Sequence, residues 1–301
     1  GTVLSGGTLR VQNANALGSG FVTQASGSSK IIIDTTGTIT NQMDIYNVSV
    51  LQSVTLTGAK TLNNATYDIA SNTTTTESGT LTGDGGITKL GTGTLLVAAS
   101  NSFTGAVDVQ AGVLDLNSSS GSAAGGTASV SVSSGATLLI SQSGQVNNGA
   151  PVTLSGGTIA RGSGVSEVFG SLNISTASTL DFGSGATGNL TFGTYQNNTT
   201  PSALLTLNNF LPGNSFTFNS TSFSAGNVGS YFSFGTGYVN SSIANTGSTF
   251  TITAIPETST YVAAIGLLAM MLWPLRRRLL KDARSILGLR APMRDRLAGK
   301  V

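Results

Sequence analysis

Nine carboxylates precede residue 255: Asp34, Asp44, Asp68, Glu77, Asp84, Asp108, Asp115, Glu167 and Asp181. Paired acids can cleave a glycosidic bond, one protonating the leaving oxygen while the other attacks or activates water. Here the acids are scattered, so solvated turn positions are expected, although a distant pair could meet if the chain coils on itself. The chain has no His and no Cys. That removes His-based acids, bases and metal ligands, the Ser-His-Asp triad, thiol nucleophiles and disulfides. Gly183-Ser184-Gly185-Ala186-Thr187-Gly188 has dinucleotide-binding spacing, but that motif must open a helix, and the strand-like Asn189-Leu190-Thr191-Phe192 follows. Asp181-Phe182-Gly183 imitates a kinase tripeptide, yet the His-Arg-Asp partner cannot exist without His. The Ca²⁺-binding nonapeptide repeat is not seen. The expectation is a non-enzyme with no catalytic residue, no cofactor and no metal.

The elements around these residues read as strands. The chain has 301 residues, 40 of them Gly, and only 9% are charged. Short runs such as Lys30-Ile31-Ile32-Ile33, Thr94-Leu95-Leu96-Val97 and Ser171-Leu172-Asn173-Ile174-Ser175 alternate apolar and polar residues, as half-buried strands do. A phrase recurs, as Val3-Leu4-Ser5-Gly6-Gly7-Thr8-Leu9 and as Val152-Thr153-Leu154-Ser155-Gly156-Gly157-Thr158-Ile159. Val109, Val132, Val152, Leu172 and Leu190 recur at spacings near twenty, which suits one coil of a solenoid. Each coil would be strand, Gly-containing turn, strand, with Val, Leu and Ile inward and Thr and Ser outward. A two-sheet sandwich is the competing architecture, although its strands more often sit closer together. The predicted fold is all-β: a parallel β-helix over 1–200, a Phe-rich cap with terminal strands over 201–254, and a single C-terminal transmembrane helix. A binding site made of the cap aromatics is the alternative use of that region.

Charge divides the chain. Residues 1–257 hold five basic and ten acidic groups, a net of −5, whereas residues 258–301 hold nine and two, a net of +7. Ser259–Leu275 is a run of seventeen uncharged residues followed by Arg276, Arg277 and Arg278. As a helix it would be roughly 25 Å long, a short span with a basic stop that keeps the following 279–301 tail in the cytoplasm. The tail can lie along the inner membrane surface as an amphipathic helix or stay disordered. Anionic lipid is a simpler partner for this basic end than nucleic acid, which is not expected. The start at Gly1 has no leader, so the chain is expected to be a fragment or truncated product.

Two resemblances follow. Ile87-Thr88-Lys89-Leu90-Gly91-Thr92-Gly93-Thr94-Leu95-Leu96-Val97, then Asn101-Ser102-Phe103-Thr104-Gly105, then Val109-Gln110-Ala111-Gly112-Val113-Leu114, resembles the autotransporter-associated β-strand repeat. That family's blocks are Lys-x-Gly-x-Gly-Thr-Leu, Asn-x-aromatic-Thr-Gly and Val-x-x-Gly-x-Leu. The resemblance implies a right-handed β-helix on an exported surface protein. Residues 255–278 resemble the PEP-CTERM sorting signal of Gram-negative bacteria, with Pro256 and Glu257 as the sorting motif and Thr258 where a second Pro is usual. This implies recognition by an exosortase-type membrane protease, with the bulk of the chain outside the cytoplasm. The expected role is a cell-envelope structural or adhesive protein of the extracellular matrix, with surface polysaccharide as a candidate partner. The alternatives are a polysaccharide-acting β-helix enzyme on the same signal and an autotransporter-like passenger.

Overall fold

The computed structural model describes residues 1–183, 187–197, 205–220, 231–235, 241–246 and 248–254. Every regular element among them is a strand, and the strands form one sixteen-stranded and one ten-stranded sheet. The first four strands, Thr2–Leu4 to Ser29–Ile33, lie in the larger sheet; from Ile87 to Phe234 successive strands alternate between the two sheets, and each pairs in parallel with the strand one coil away. Thr94–Val97 lies between Thr74–Glu77 and Val113–Leu116 in the smaller sheet. Val107–Val109 lies between Ile87–Leu90 and Val130–Ser133 in the larger one. This is a solenoid of the right-handed β-helix type, the hand that twisted strands impose on parallel crossovers.

Period-2 alternation decides what fills the lumen. Leu95, Leu114, Leu138, Ile159, Leu180 and Leu207 stack in one inward column, all at zero exposure. Their strand neighbours point outward and build a column of hydroxyls, Thr74, Thr94, Thr137, Thr158, Thr179, Thr206 and Ser233, interrupted by Val113 between Thr94 and Thr137. β-Branched Thr suits this position because it holds extended backbone while its hydroxyl stays wet.

The register corrects the sequence-derived column in two places. Val132 pairs with Leu154 rather than Val152, and Leu172 pairs with Tyr195 rather than Leu190. The first is a shift of two residues, which leaves the same face inward, so hydrophobic alternation cannot detect it. The second is a shift of five, and Leu190 and Tyr195 both face inward because the in/out phase changes between them at Gly193 and Thr194.

Parallel pairing continues past residue 200. Asn214–Asn219 adds to the larger sheet and Phe232–Phe234 to the smaller. Phe169, Phe192 and Phe216 follow one another in the lumen, with ring centroids 4.9 and 5.8 Å apart. The sheet then closes with antiparallel pairs, Thr249–Ala254 against Asn214–Asn219 and Ser241–Thr246 against Thr249–Ala254. This reversal ends the parallel stacking and covers the edge that the last coil would otherwise expose. No helix among the described residues is long and apolar enough to cross a membrane. The 259–275 run, Pro256, Glu257, Arg276, Arg277 and Arg278 lie outside the described residues.

Candidate functional site

Each coil must turn sharply between its two sheets, and there the backbone leaves the ladder with groups that need partners. The three blocks of residues 87–116 supply those partners. Lys89 sits inside Ile87–Leu90 and is fully buried. Its Nζ donates to the carbonyls of Leu90 at 2.7 Å, Gly91 at 2.8 Å and Ala111 at 3.2 Å. One ammonium thus ties its own corner to the corner of the next coil. Burial pulls the Lys89 pKa down to about 8, against the opposing field of Asp68. Gly91 and Gly112 stand at positive φ, 67° and 66°, and a Cβ on Gly91 would lie 2.2 Å from the Ile69 carbonyl oxygen. Only Gly meets both demands there.

In the second block, Asn101 spans three coils. Its Oδ1 accepts the Leu81 N–H at 2.8 Å, and its Nδ2 donates to the carbonyls of Ala99 at 3.0 Å and Ala123 at 2.8 Å. Phe103 is buried in the core beneath it. Gly105 follows where backbones nearly touch, since a Cβ on it would lie 2.2 Å from the Gly86 nitrogen. The third block contributes Val109 and Leu114, both buried at zero exposure, to the two sheets.

The same corner carries amide and carboxylate clamps in later coils: Gln145, which sequence reasoning did not single out, and Glu167, expected in a solvated turn but buried. Gln145 Oε1 accepts N–H groups of Ser118 at 2.8 Å and Ala123 at 3.3 Å. Its Nε2 donates to the carbonyls of Ser118, Gly121 and Ser143. Glu167 then accepts the N–H of Gln145 at 2.8 Å and of Val146 at 3.2 Å. Burial raises the Glu167 pKa, and the backbone N–H groups partly offset that rise. Asn101, Ala123, Gln145 and Glu167 recur every twenty-two residues along this corner, as the bonds that join them show. That spacing was the one available signal in the sequence.

Several charges expected in solvated turns are inside. Glu77 has zero exposure and sits beside Lys60, Nζ to Oε2 2.8 Å. Tyr67 donates to its other oxygen at 2.8 Å. Arg161 is buried too, donating to the Gly162 carbonyl at 3.0 Å and to Asn214 Oδ1, with its guanidinium carbon 5.4 Å from the centre of the Phe182 ring. Outside, Arg10 pairs with Asp34 and Asp108 accepts a hydrogen bond from Ser131, while the largely buried Asp115 accepts one from Ser141. The carboxylates are therefore dispersed over inner and outer faces. Among the described residues no group of three or more could hold a metal ion. Gly183 has φ 66° and precedes 184–186, which are not described; Gly188 opens the strand Gly188–Asn197 rather than a helix.

Among the described residues a shallow groove of about 360 Å³ lies on the smaller sheet, lined by Thr38, Ser53, Thr55, Thr74 and Thr76 with Gly37 and Val54. Its walls are hydroxyls and methyls without charge.

Residues 87–116 match the family model described as the passenger-associated-transport repeat. These are the residues whose clamps, close-approach glycines and buried anchors have just been described. No curated protein and no solved structure matches the chain.

Proposed function

We propose that the chain is a passenger-type β-helix, exported to the cell surface, where it acts structurally or adhesively rather than as an enzyme. The observation that carries this reading is the match of residues 87–116 to a passenger-associated transport repeat, within a solenoid of parallel-stacked strands. The outward Thr column and the uncharged groove give a surface suited to hydroxyl-rich polymers, so surface polysaccharide is the proposed partner. The engagement of the acids with interior or neighbouring groups supports a non-enzymatic role.

A passenger reading is favoured over an exosortase-sorted one, because the comparisons bring support to the repeat and none to a sorting signal. Sorting through Pro256 and Glu257, an anchor at 259–275 and a stop at Arg276, Arg277 and Arg278 are retained as a finer proposal resting on the sequence pattern alone. The test is localisation in producing cells. Protease added to intact cells should degrade the β-helix while a cytoplasmic marker survives; protection of the β-helix until lysis would overturn the surface assignment. Intact mass from cells with and without an exosortase separates the finer proposal. A product ending near Pro256-Glu257 solely with the protease supports it, and identical products in both strains remove it.

A further inference from the structure

Lys60 and Glu77 meet inside the lumen, where side-chain exposures are 1% and 0%. Around them are Leu56, Leu62, Ile69, Leu81 and Val97, all buried. Two full charges in such a place are costly to desolvate, and their mutual attraction repays that cost only when every remaining hydrogen-bonding valence is met. Here it is not met. Nζ lies 2.8 Å from Oε2 in poor hydrogen-bond geometry, and Oε2 has no partner besides this ion pair. Nζ has one further acceptor, the Gly58 carbonyl at 2.6 Å, for its three N–H groups. Oε1, by contrast, is held by the Tyr67 hydroxyl.

Those contacts are what an amide would need. We propose that Lys60 and Glu77 condense after folding into an intramolecular isopeptide bond that locks two successive strands of one coil. One proton of the Lys60 ammonium passes to Glu77 Oε2 within the pair; Nζ then attacks Cδ, and the charge that develops on Oε1 is held by the Tyr67 O–H. An amine proton passes to Oε2, the Cδ–Oε2 bond breaks, and water leaves. No oxidant or co-reactant is required. The product's single N–H points to Gly58 O, and its carbonyl keeps the Tyr67 donor, so the amide is fully satisfied in a site where the ion pair is not.

Fixing the two groups in contact replaces a bimolecular encounter, an advantage that reaches roughly 10⁵–10⁸ M in effective concentration for well-oriented pairs. Exclusion of water from the lumen favours loss of the water formed. Burial also raises the Glu77 pKa, the lower field of Lys60 notwithstanding, which increases the neutral acid that the reaction consumes. The bond would close the loop between residues 60 and 77, leaving that coil unable to unravel along the sheet.

Peptide mapping of the full chain decides the matter. In the absence of the bond, trypsin cuts after Lys60 and yields Ile31–Lys60 and Thr61–Lys89. With it, the expected product is one uncut peptide, Ile31–Lys89, lighter by the mass of a water, about 18 Da, with fragment ions placing the loss between Lys60 and Glu77. Lys60→Arg, which keeps a cation but offers no comparable nucleophile, should restore the full mass. Tyr67→Phe should slow formation in a refolding time course. Cleavage after Lys60 with unshifted mass in the wild type overturns the proposal, and so does a water loss mapped to any other residue. The wild-type map stands by itself if a variant does not fold.

Discussion

Replacing Asn101 by Ala tests whether the corner clamps hold the coils together. The Asn101 side chain makes three hydrogen bonds, to the Leu81 N–H and to the Ala99 and Ala123 carbonyls. Leu81 has zero exposure, so its amide gains no water when the acceptor is removed. At roughly 1 kcal/mol net per bond, with an added penalty for the stranded amide, the loss is about 2–4 kcal/mol. With a urea slope near 2 kcal/mol per molar, the unfolding midpoint falls by roughly 1–2 M. Hydrogen exchange at Leu81 reports the same event locally, and its protection should drop by about 100-fold, the equivalent of nearly 3 kcal/mol. Asn101→Asp divides the clamp into halves. It keeps the acceptor for Leu81 but turns a carboxylate toward two carbonyls, so the loss at neutral pH should match or exceed that of Ala and shrink in acid. Asn117→Ala is the reference, since Asn117 merely accepts a long 3.3 Å bond from Gln142 at the surface. It should stay within about 0.5 kcal/mol. If Asn101→Ala costs no more than Asn117→Ala, the clamp is not what joins the coils and the reasoning fails.

Other positions test separate parts of the architecture. Gly105→Ala forces a Cβ to within 2.2 Å of the Gly86 nitrogen, and should cost about 1–3 kcal/mol by overpacking. Gly6→Ala, with nothing within 4 Å, should leave the thermal midpoint unchanged. Phe103→Ala empties a fully buried position in the core and should cost about 3–5 kcal/mol in chemical denaturation. Glu167 has a folded pKa above its ordinary 4.5, so the folded state holds the proton more tightly. Its contribution to stability is fully present below about 4.5 and is lost as pH rises through the folded value. Comparing stability from pH 4 to pH 7, Glu167→Gln should remove that part of the slope; an unchanged slope would show that Glu167 does not titrate there.

Much of this protein was legible in its residues because β-helix coils are built from local phrases. Alternation in Thr94-Leu95-Leu96-Val97 requires one face in and one face out. Glycines in Lys89-Leu90-Gly91-Thr92-Gly93 announce a corner whose backbone an ordinary side chain cannot share. Together with recurrence near twenty residues, they lead to a solenoid without any knowledge of which coil lies on which. The three blocks of residues 87–116 likewise carry their own identity, because each anchor acts within its coil or on an adjacent one.

What the tertiary structure alone decided was register and everything that depends on it. Val132 faces Leu154 and not Val152, a difference of two residues that leaves the hydrophobic pattern intact. Whether a charged residue lies in water or in the lumen follows from how successive coils stack. Glu77 reads as a solvated turn residue in the sequence, yet stacking places it beside Lys60 in an apolar interior. The spine of Asn101, Ala123, Gln145 and Glu167 is likewise spread over four coils, and its hydrogen bonds exist once those coils are aligned. Local periodicity specifies a face, whereas contacts between residues some twenty positions apart require the whole array to settle its register; that is why the fold class came from the sequence and the buried chemistry did not.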